Sequence, residues 1–182
     1  MKKLLLFIFI LGIICNLSAQ PNYSIPNDSA GIYLTYNDFV NGKPINSFKP
    51  YQKNYSLWPK GFFKYKDPEL KTPDTTIIYK RSDIWGYTDH KGRLIRTFGN
   101  NHYKVLCDKG LIIYIIYSPT SVSYHFSKTL NDTVHRLSRK NLTIAYADNT
   151  DLLQKIKSSK KKDWLIWDEK KECYLLNRLF EE

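Results

Sequence analysis

The side chains that most often carry chemistry are few and scattered in this chain. Its four histidines stand at His90, His102, His125 and His135, with no His-x-x-x-His pair and no Cys-x-x-Cys among them. A metal centre needs several such ligands brought together, usually at short spacing, so neither a metal site nor a cofactor is expected. Asp83, Asp89 and Asp108 fall at the ends of predicted strands. Paired carboxylates there would suit acid–base hydrolysis. Asp is also an ordinary turn residue, and several times more often so. No Gly-x-Ser-x-Gly elbow, phosphate loop or dinucleotide fingerprint occurs. The sequence therefore assigns no catalytic residue, and an enzyme is the less favoured class.

Binding chemistry has better candidates. Trp85 and Tyr87 alternate in a predicted strand and are expected to share one face. Exposed, they would stack on sugar rings or on a partner; buried, they are core, the favoured reading because aromatics dominate cores. Trp58, Trp164 and Trp167 add further large rings. Lys155, Lys157, Lys160, Lys161 and Lys162 form the densest basic run. A solvated helix face explains it, and an anionic docking patch centred on Lys160, Lys161 and Lys162 is the functional alternative.

The first residues fix where these groups work. Lys2 and Lys3 precede an apolar run from Leu4 to Ile14, and Ser18-Ala19-Gln20 follows. This is the order of a secretory signal peptide, with cleavage expected after Ala19. The run is too short for a spanning helix, so no transmembrane anchor is expected after cleavage. Lipidation at Cys15 is disfavoured, because Ile13 and Ile14 stand where a lipoprotein signal has small residues. The exported protein would work in the periplasm, at the cell surface or outside the cell.

Cleavage leaves roughly 160 of the 182 residues, a size that suits one domain. It also removes Lys2 and Lys3 from a chain of formal net charge +11, leaving +9. Such a field attracts anionic partners, an envelope polymer or an acidic protein. Nucleic acid is not expected, since export separates the chain from it and no binding motif appears. Cys107 and Cys173 remain. In an oxidising compartment they could pair, closing a loop of about 67 residues worth ~4 kcal/mol in the chain-entropy model. Two buried free thiols are the equal alternative.

The predicted elements begin after an exposed leader, residues 20–30, and fill one domain, residues 31–182. Thr35 and Asp38 read as the cap and first turn of a short N-terminal helix ended by Gly42. Ser47 to Pro59 reads as irregular, Phe62 to Lys66 as a short strand, and Pro68 to Pro73 as a loop. Thr75–Lys80, Ile84–Thr88, Arg93–Phe98, His102–Cys107 and Leu111–Tyr117 read as consecutive strands divided by turn residues. Leu111 to Tyr117 is apolar at every position, which predicts an interior strand covered on both faces. Ser121–Phe126, Thr133–Leu137 and Leu142–Ala147 read as further strands. Asp148–Asp151 opens a helix carrying Leu152, Leu153 and Ile156, and Cys173, Leu176 and Phe180 fall at helical spacing. The expected fold is α+β, an antiparallel β-meander with a short N-terminal helix and C-terminal helices packed on one face.

Gly31-Ile32-Tyr33, Thr35, Asp38-Phe39 and Asp83-Ile84-Trp85-Gly86-Tyr87 resemble pieces of uncharacterised small secreted proteins of Bacteroidota-type Gram-negative bacteria. That resemblance implies export and a domain of unknown function, and it supplies no active site. The expected function is an exported, non-enzymatic binding or interaction module of the cell envelope, for an anionic or glycan partner. A hydrolase acting on envelope polymers and a purely structural envelope component are the alternatives.

Overall fold

The computed structural model describes residues 29–59, 67–118 and 120–180. The signal peptide and the strand expected at Phe62–Lys66 lie outside the described residues. The fold is α+β and mainly antiparallel sheet, with three α-helices among the described residues.

An eight-stranded sheet forms the body. It holds β1 (Ala30–Tyr33), β2 (Ile45–Phe48), β6 (Gly86–Thr88), β7 (Leu94–Phe98), β8 (Asn101–Cys107), β9 (Ile112–Tyr117), β10 (Val122–Ser127) and β11 (His135–Arg136). Their spatial order is β11-β10-β9-β8-β7-β6-β1-β2, every neighbouring pair antiparallel. Strands β6 to β11 thus follow one another as a meander joined by short turns. Ala30, at the end of the expected leader, is already fully buried in β1. Helix α1 (Tyr36–Val40) joins β1 to β2. Thr35 caps it: its Oγ1 accepts from the Asp38 N–H at 3.1 Å, and Asp38 Oδ2 accepts from the Thr35 N–H at 2.8 Å.

Between β2 and β6 the chain makes a second, three-stranded sheet of β3 (Ser56–Pro59), β4 (Pro68–Lys71) and β5 (Thr76–Ile78). This corrects two expectations. Within Ser47–Pro59 the two ends are strand, β2 closing at Phe48 and β3 spanning Ser56–Pro59, with 49–55 irregular as expected, and Pro68 opens a strand rather than a loop, as proline can at a first strand position. Thr76–Ile78 is extended as expected but lies outside the meander.

The unbroken apolar run is buried on both faces in β9. Leu111, Ile113 and Ile115 enter one core cluster, while Ile112, Tyr114 and Ile116 pack in another on the opposite face. Strand β8 is less regular. Its pairing with β9 slips between Val105 and Cys107. Tyr103 and Val105 therefore face one cluster, whereas Leu106 and Cys107 both enter the other. A bulge of this kind lets two successive side chains share a face.

The C-terminal part covers the Leu111/Ile113/Ile115 face with α2 (Arg139–Ala145), α3 (Thr150–Ser158), the hairpin of β12 (Trp167–Asp168) and β13 (Cys173–Tyr174), and a 3-10 turn at Asn177–Phe180. Here Leu142–Ala147 is corrected from strand to helix. Ser138 decides it, its Oγ accepting from the Asn141 N–H at 3.1 Å, and only Leu142 needs burial while Ile144 points to solvent. The helical stripe expected at Cys173, Leu176 and Phe180 is likewise corrected. Cys173 and Leu176 are buried as the stripe requires, but the backbone is a strand followed by a 3-10 turn. Asn177 fixes it, donating from Nδ2 to the carbonyls of Lys109 at 2.7 Å and Leu111 at 2.6 Å.

Candidate functional site

An open cleft of about 410 Å³ sits where the β10–β11 edge of the sheet meets the 3-10 turn Lys161–Asp163. Arg136 from β11 and Lys161 from the turn supply two cations, both solvent-exposed. Ser138 offers a hydroxyl, Tyr124 a half-buried ring, and Val122 and Leu165 apolar walls, while Ser123, also on the lining, bonds through Oγ to His125 Nε2 at 3.1 Å. No aspartate or glutamate is among its lining residues.

Local structure holds these groups in place. Arg136 sits directly across from His125, and the Leu137 N–H donates to the Tyr124 carbonyl at 2.8 Å, so both walls belong to one ladder. Below the cleft, Trp164 is buried and its Nε1 donates to Ser159 Oγ at 2.8 Å. Arg139 lies over the Trp164 ring at 5.9 Å and donates to the Ser159 carbonyl at 2.6 Å. The Lys161 turn is thereby tied to α2 and α3. Burial holds the His125 pKa below the usual histidine value, and the Arg136 charge adds to that shift. At neutral pH the cleft's positive charge therefore comes from arginine and lysine.

The sequence candidates are placed as follows. Of the lysine run, Lys161 lines the cleft, while Lys160 and Lys162 are exposed beside it. Trp85 and Tyr87 do not share a face. Trp85 precedes β6, in a bend where its N–H meets the carbonyls of Tyr33 and Leu34, both at 3.0 Å. Its ring stacks on Phe39 at 4.8 Å, whereas Tyr87 is fully buried in the cluster on the other side of the sheet. Cys107 and Cys173 are buried thiols in one cluster and are not disulfide-bonded. Burial raises the Cys107 pKa, which keeps its thiol protonated.

The residues considered for hydrolysis do not converge. The His102 ring meets the Tyr87 hydroxyl (Nδ1 to Oη 3.3 Å) on one face of the sheet, and His125 packs against Tyr103 at 5.1 Å on the other. Asp89 is fully buried as a turn residue. Its Oδ1 accepts from the N–H groups of Lys91 and Arg93, both at 2.9 Å, and Oδ2 pairs with the Arg93 guanidinium at 2.6 Å. Asp83 and Asp108 are exposed. Among the described residues no three His, Cys, Asp or Glu side chains gather in a way that would hold a metal ion. No described helix is long and apolar enough to cross a membrane.

Sequence reasoning missed Arg136 and Tyr124. A single arginine in a two-residue strand carries no local signal, and its role depends on a turn 25 residues away folding against the same edge. No protein-family model, curated protein or solved structure matches the chain.

Proposed function

We propose that this is an exported, non-enzymatic binding module of the cell envelope that holds an acidic glycan in the Arg136/Lys161 cleft. One observation carries the reading: Arg136 and Lys161, from separate elements, line one cleft with the half-buried ring of Tyr124 and the Ser138 hydroxyl, and no acidic side chain is among the lining residues. Acidic sugars offer the matching set, a carboxylate or sulfate for the cations, a hydroxyl for Ser138 and a ring face for Tyr124. The positive field of the whole chain would steer such a polymer toward the cleft. Export, inferred from the leader, supplies the compartment in which these polymers occur, and the resemblance to small secreted proteins of Bacteroidota-type bacteria agrees with it.

The hydrolase alternative loses support, because His102 and His125 face opposite ways and Asp89 is committed to its turn. The test is calorimetric titration with oligogalacturonate against a neutral maltooligosaccharide, at low and moderate salt. Arg136→Ala/Lys161→Ala is expected to weaken oligogalacturonate binding about tenfold, since two exposed ionic contacts are worth roughly 0.5–1 kcal/mol each. Lys160→Ala/Lys162→Ala, matched in charge, should change it less than threefold. Equal losses in both variants would reduce the cleft to general basicity. N-terminal sequencing of protein recovered from the producing cell tests export, with Gln20 expected as the first residue.

A further inference from the structure

Away from the cleft, the sheet buries a guanidinium. Arg96, in β7, is 3% exposed, and no carboxylate pairs with it among the described residues. Its guanidinium lies over the Phe98 ring at 5.3 Å and donates from Nη1 to the Tyr114 hydroxyl at 3.2 Å. Its Nε is buried without an acceptor. A guanidinium has five N–H donors, and removing one from water without an anion costs several kcal/mol. Folded proteins rarely retain such a charge unless something negative meets it.

The hydrogen bonds around Arg96 have a fixed direction. Ser127 Oγ donates to the Thr129 carbonyl at 2.5 Å, so it must accept from the Tyr114 hydroxyl, 2.7 Å away. Tyr114 in turn can only accept from Arg96. Burial raises the Tyr114 pKa, so its hydroxyl keeps the proton this chain requires. The relay therefore uses Nη1 and leaves the Nε side of the guanidinium unserved. That side, Nε with Nη2, is the edge that grips an oxyanion with two parallel bonds. Phe98, only half-buried, lies against the guanidinium, and Tyr103, directly across the ladder from Arg96, accepts from Asn101 Nδ2 at 3.4 Å. None of Arg96, Tyr114 and Ser127 lines the cleft.

We propose that the Nε–Nη2 edge of Arg96 is the receptor for a small oxyanion, a carboxylate or phosphate group, on the sheet face opposite the C-terminal helices. This site is independent of the acidic-glycan reading. The test is the melting temperature of the purified protein in sodium phosphate, sodium acetate and sodium chloride at matched ionic strength. Phosphate or acetate at tens of millimolar is expected to raise Tm by about 3 °C over chloride. The larger response identifies the preferred oxyanion. The shift should persist in Arg136→Ala/Lys161→Ala and vanish in Arg96→Met, compared at equal far-ultraviolet circular dichroism. If Arg96→Met does not fold, the Arg96 Nε–H resonance of the wild-type protein decides, since it should move saturably with the oxyanion. The proposal is overturned if neither oxyanion exceeds chloride, if Arg96→Met keeps the full shift, or if the Nε–H resonance stays fixed while Tm rises. Loss of the shift in Arg136→Ala/Lys161→Ala alone would also overturn it, by assigning the anion to the cleft.

Discussion

Over β8 to β10 the large sheet is covered by two capped helices and a 3-10 turn, whereas over β1, β6 and β7 the same face is covered by three short strands. The strand cover presses Leu57 and Leu70 onto Ile32, Tyr87 and Ile95. The helical cover leaves a gap at its margin, because the chain must leave α3, turn at Lys161 and return to β12. That gap is the cleft. A sheet covered by strands closes along its length, while one covered by helices joined by turns keeps openings where the turns meet the sheet edge. Of the aromatic candidates, Tyr87 is core of the strand-covered half and Trp164 of the helical half, Trp85 packs against Phe39 on the opposite face, and Trp58 is 44% exposed. One of the basic candidates fell at the opening.

The comparison can be broken by substitutions on each side. Phe126→Ala, in the helical half, should cost about 3–5 kcal/mol, because a fully buried ring leaves a cavity beneath α2 and α3. A single urea transition is expected; two would show that the halves unfold separately. Gly86→Ala, in the strand-covered half, should cost about 2–3 kcal/mol. Its Cβ would lie 2.6 Å from the Ile95 carbonyl oxygen, which is backbone and cannot move aside cheaply. A loss below 1 kcal/mol would mean that β6 and β7 are looser than the structure shows.

Asn177→Ala should cost about 1–2 kcal/mol in the same urea assay. It strands the buried Leu111 carbonyl and the part-buried Lys109 carbonyl, but also removes the Asn177 Oδ1 that itself lacks a partner. The alkaline limb sharpens the contrast further. Burial pushes the Tyr146 and Tyr174 pKa values up to about 12 from the usual 10, and both rings pack against the helical half. Their raised values favour the folded, protonated state. This stability is present below pH 10 and lost as pH rises from 10 toward 12. Absorbance at 295 nm should show these phenols ionising later in native than in urea-unfolded protein. At the acid limb the sign reverses in form. His125 is held below its unfolded value of 6.5, so the unfolded chain binds the extra proton and stability falls as pH drops below 6.5. His125→Phe should flatten that part of the profile. The smallest effect belongs to the cleft: Arg136→Ala/Lys161→Ala should change stability by less than about 0.5 kcal/mol while weakening glycan binding.

The meander was legible because its strands announce themselves locally. Asp89 to Gly92, Gly99 to Asn101 and Asp108 to Gly110 supply turn chemistry between β-rich runs, and the unbroken apolarity of Leu111–Tyr117 states that both faces are covered. The errors cluster where local preference is weak. Leu142–Ala147 carries β-branched residues, yet one serine cap and one buried leucine were enough to make it helix. Trp85 and Tyr87 alternate in sequence, yet the bend before β6 sends them to opposite sides. The candidate site was half legible. Lys161 belonged to a visible basic run, but Arg136 looked like any other surface arginine.

By itself, then, the sequence determined the positive field, the class of fold and the strands that turn residues delimit, since each depends on composition or on neighbours along the chain. Only the tertiary structure decided which of five clustered lysines lines a cleft, that Cys107 swings through a bulge to share a cluster with Cys173, and that Arg96 lies buried with no ion-pair partner among the described residues. Those outcomes depend on residues far apart in sequence meeting across a sheet, and no local preference encodes such a meeting.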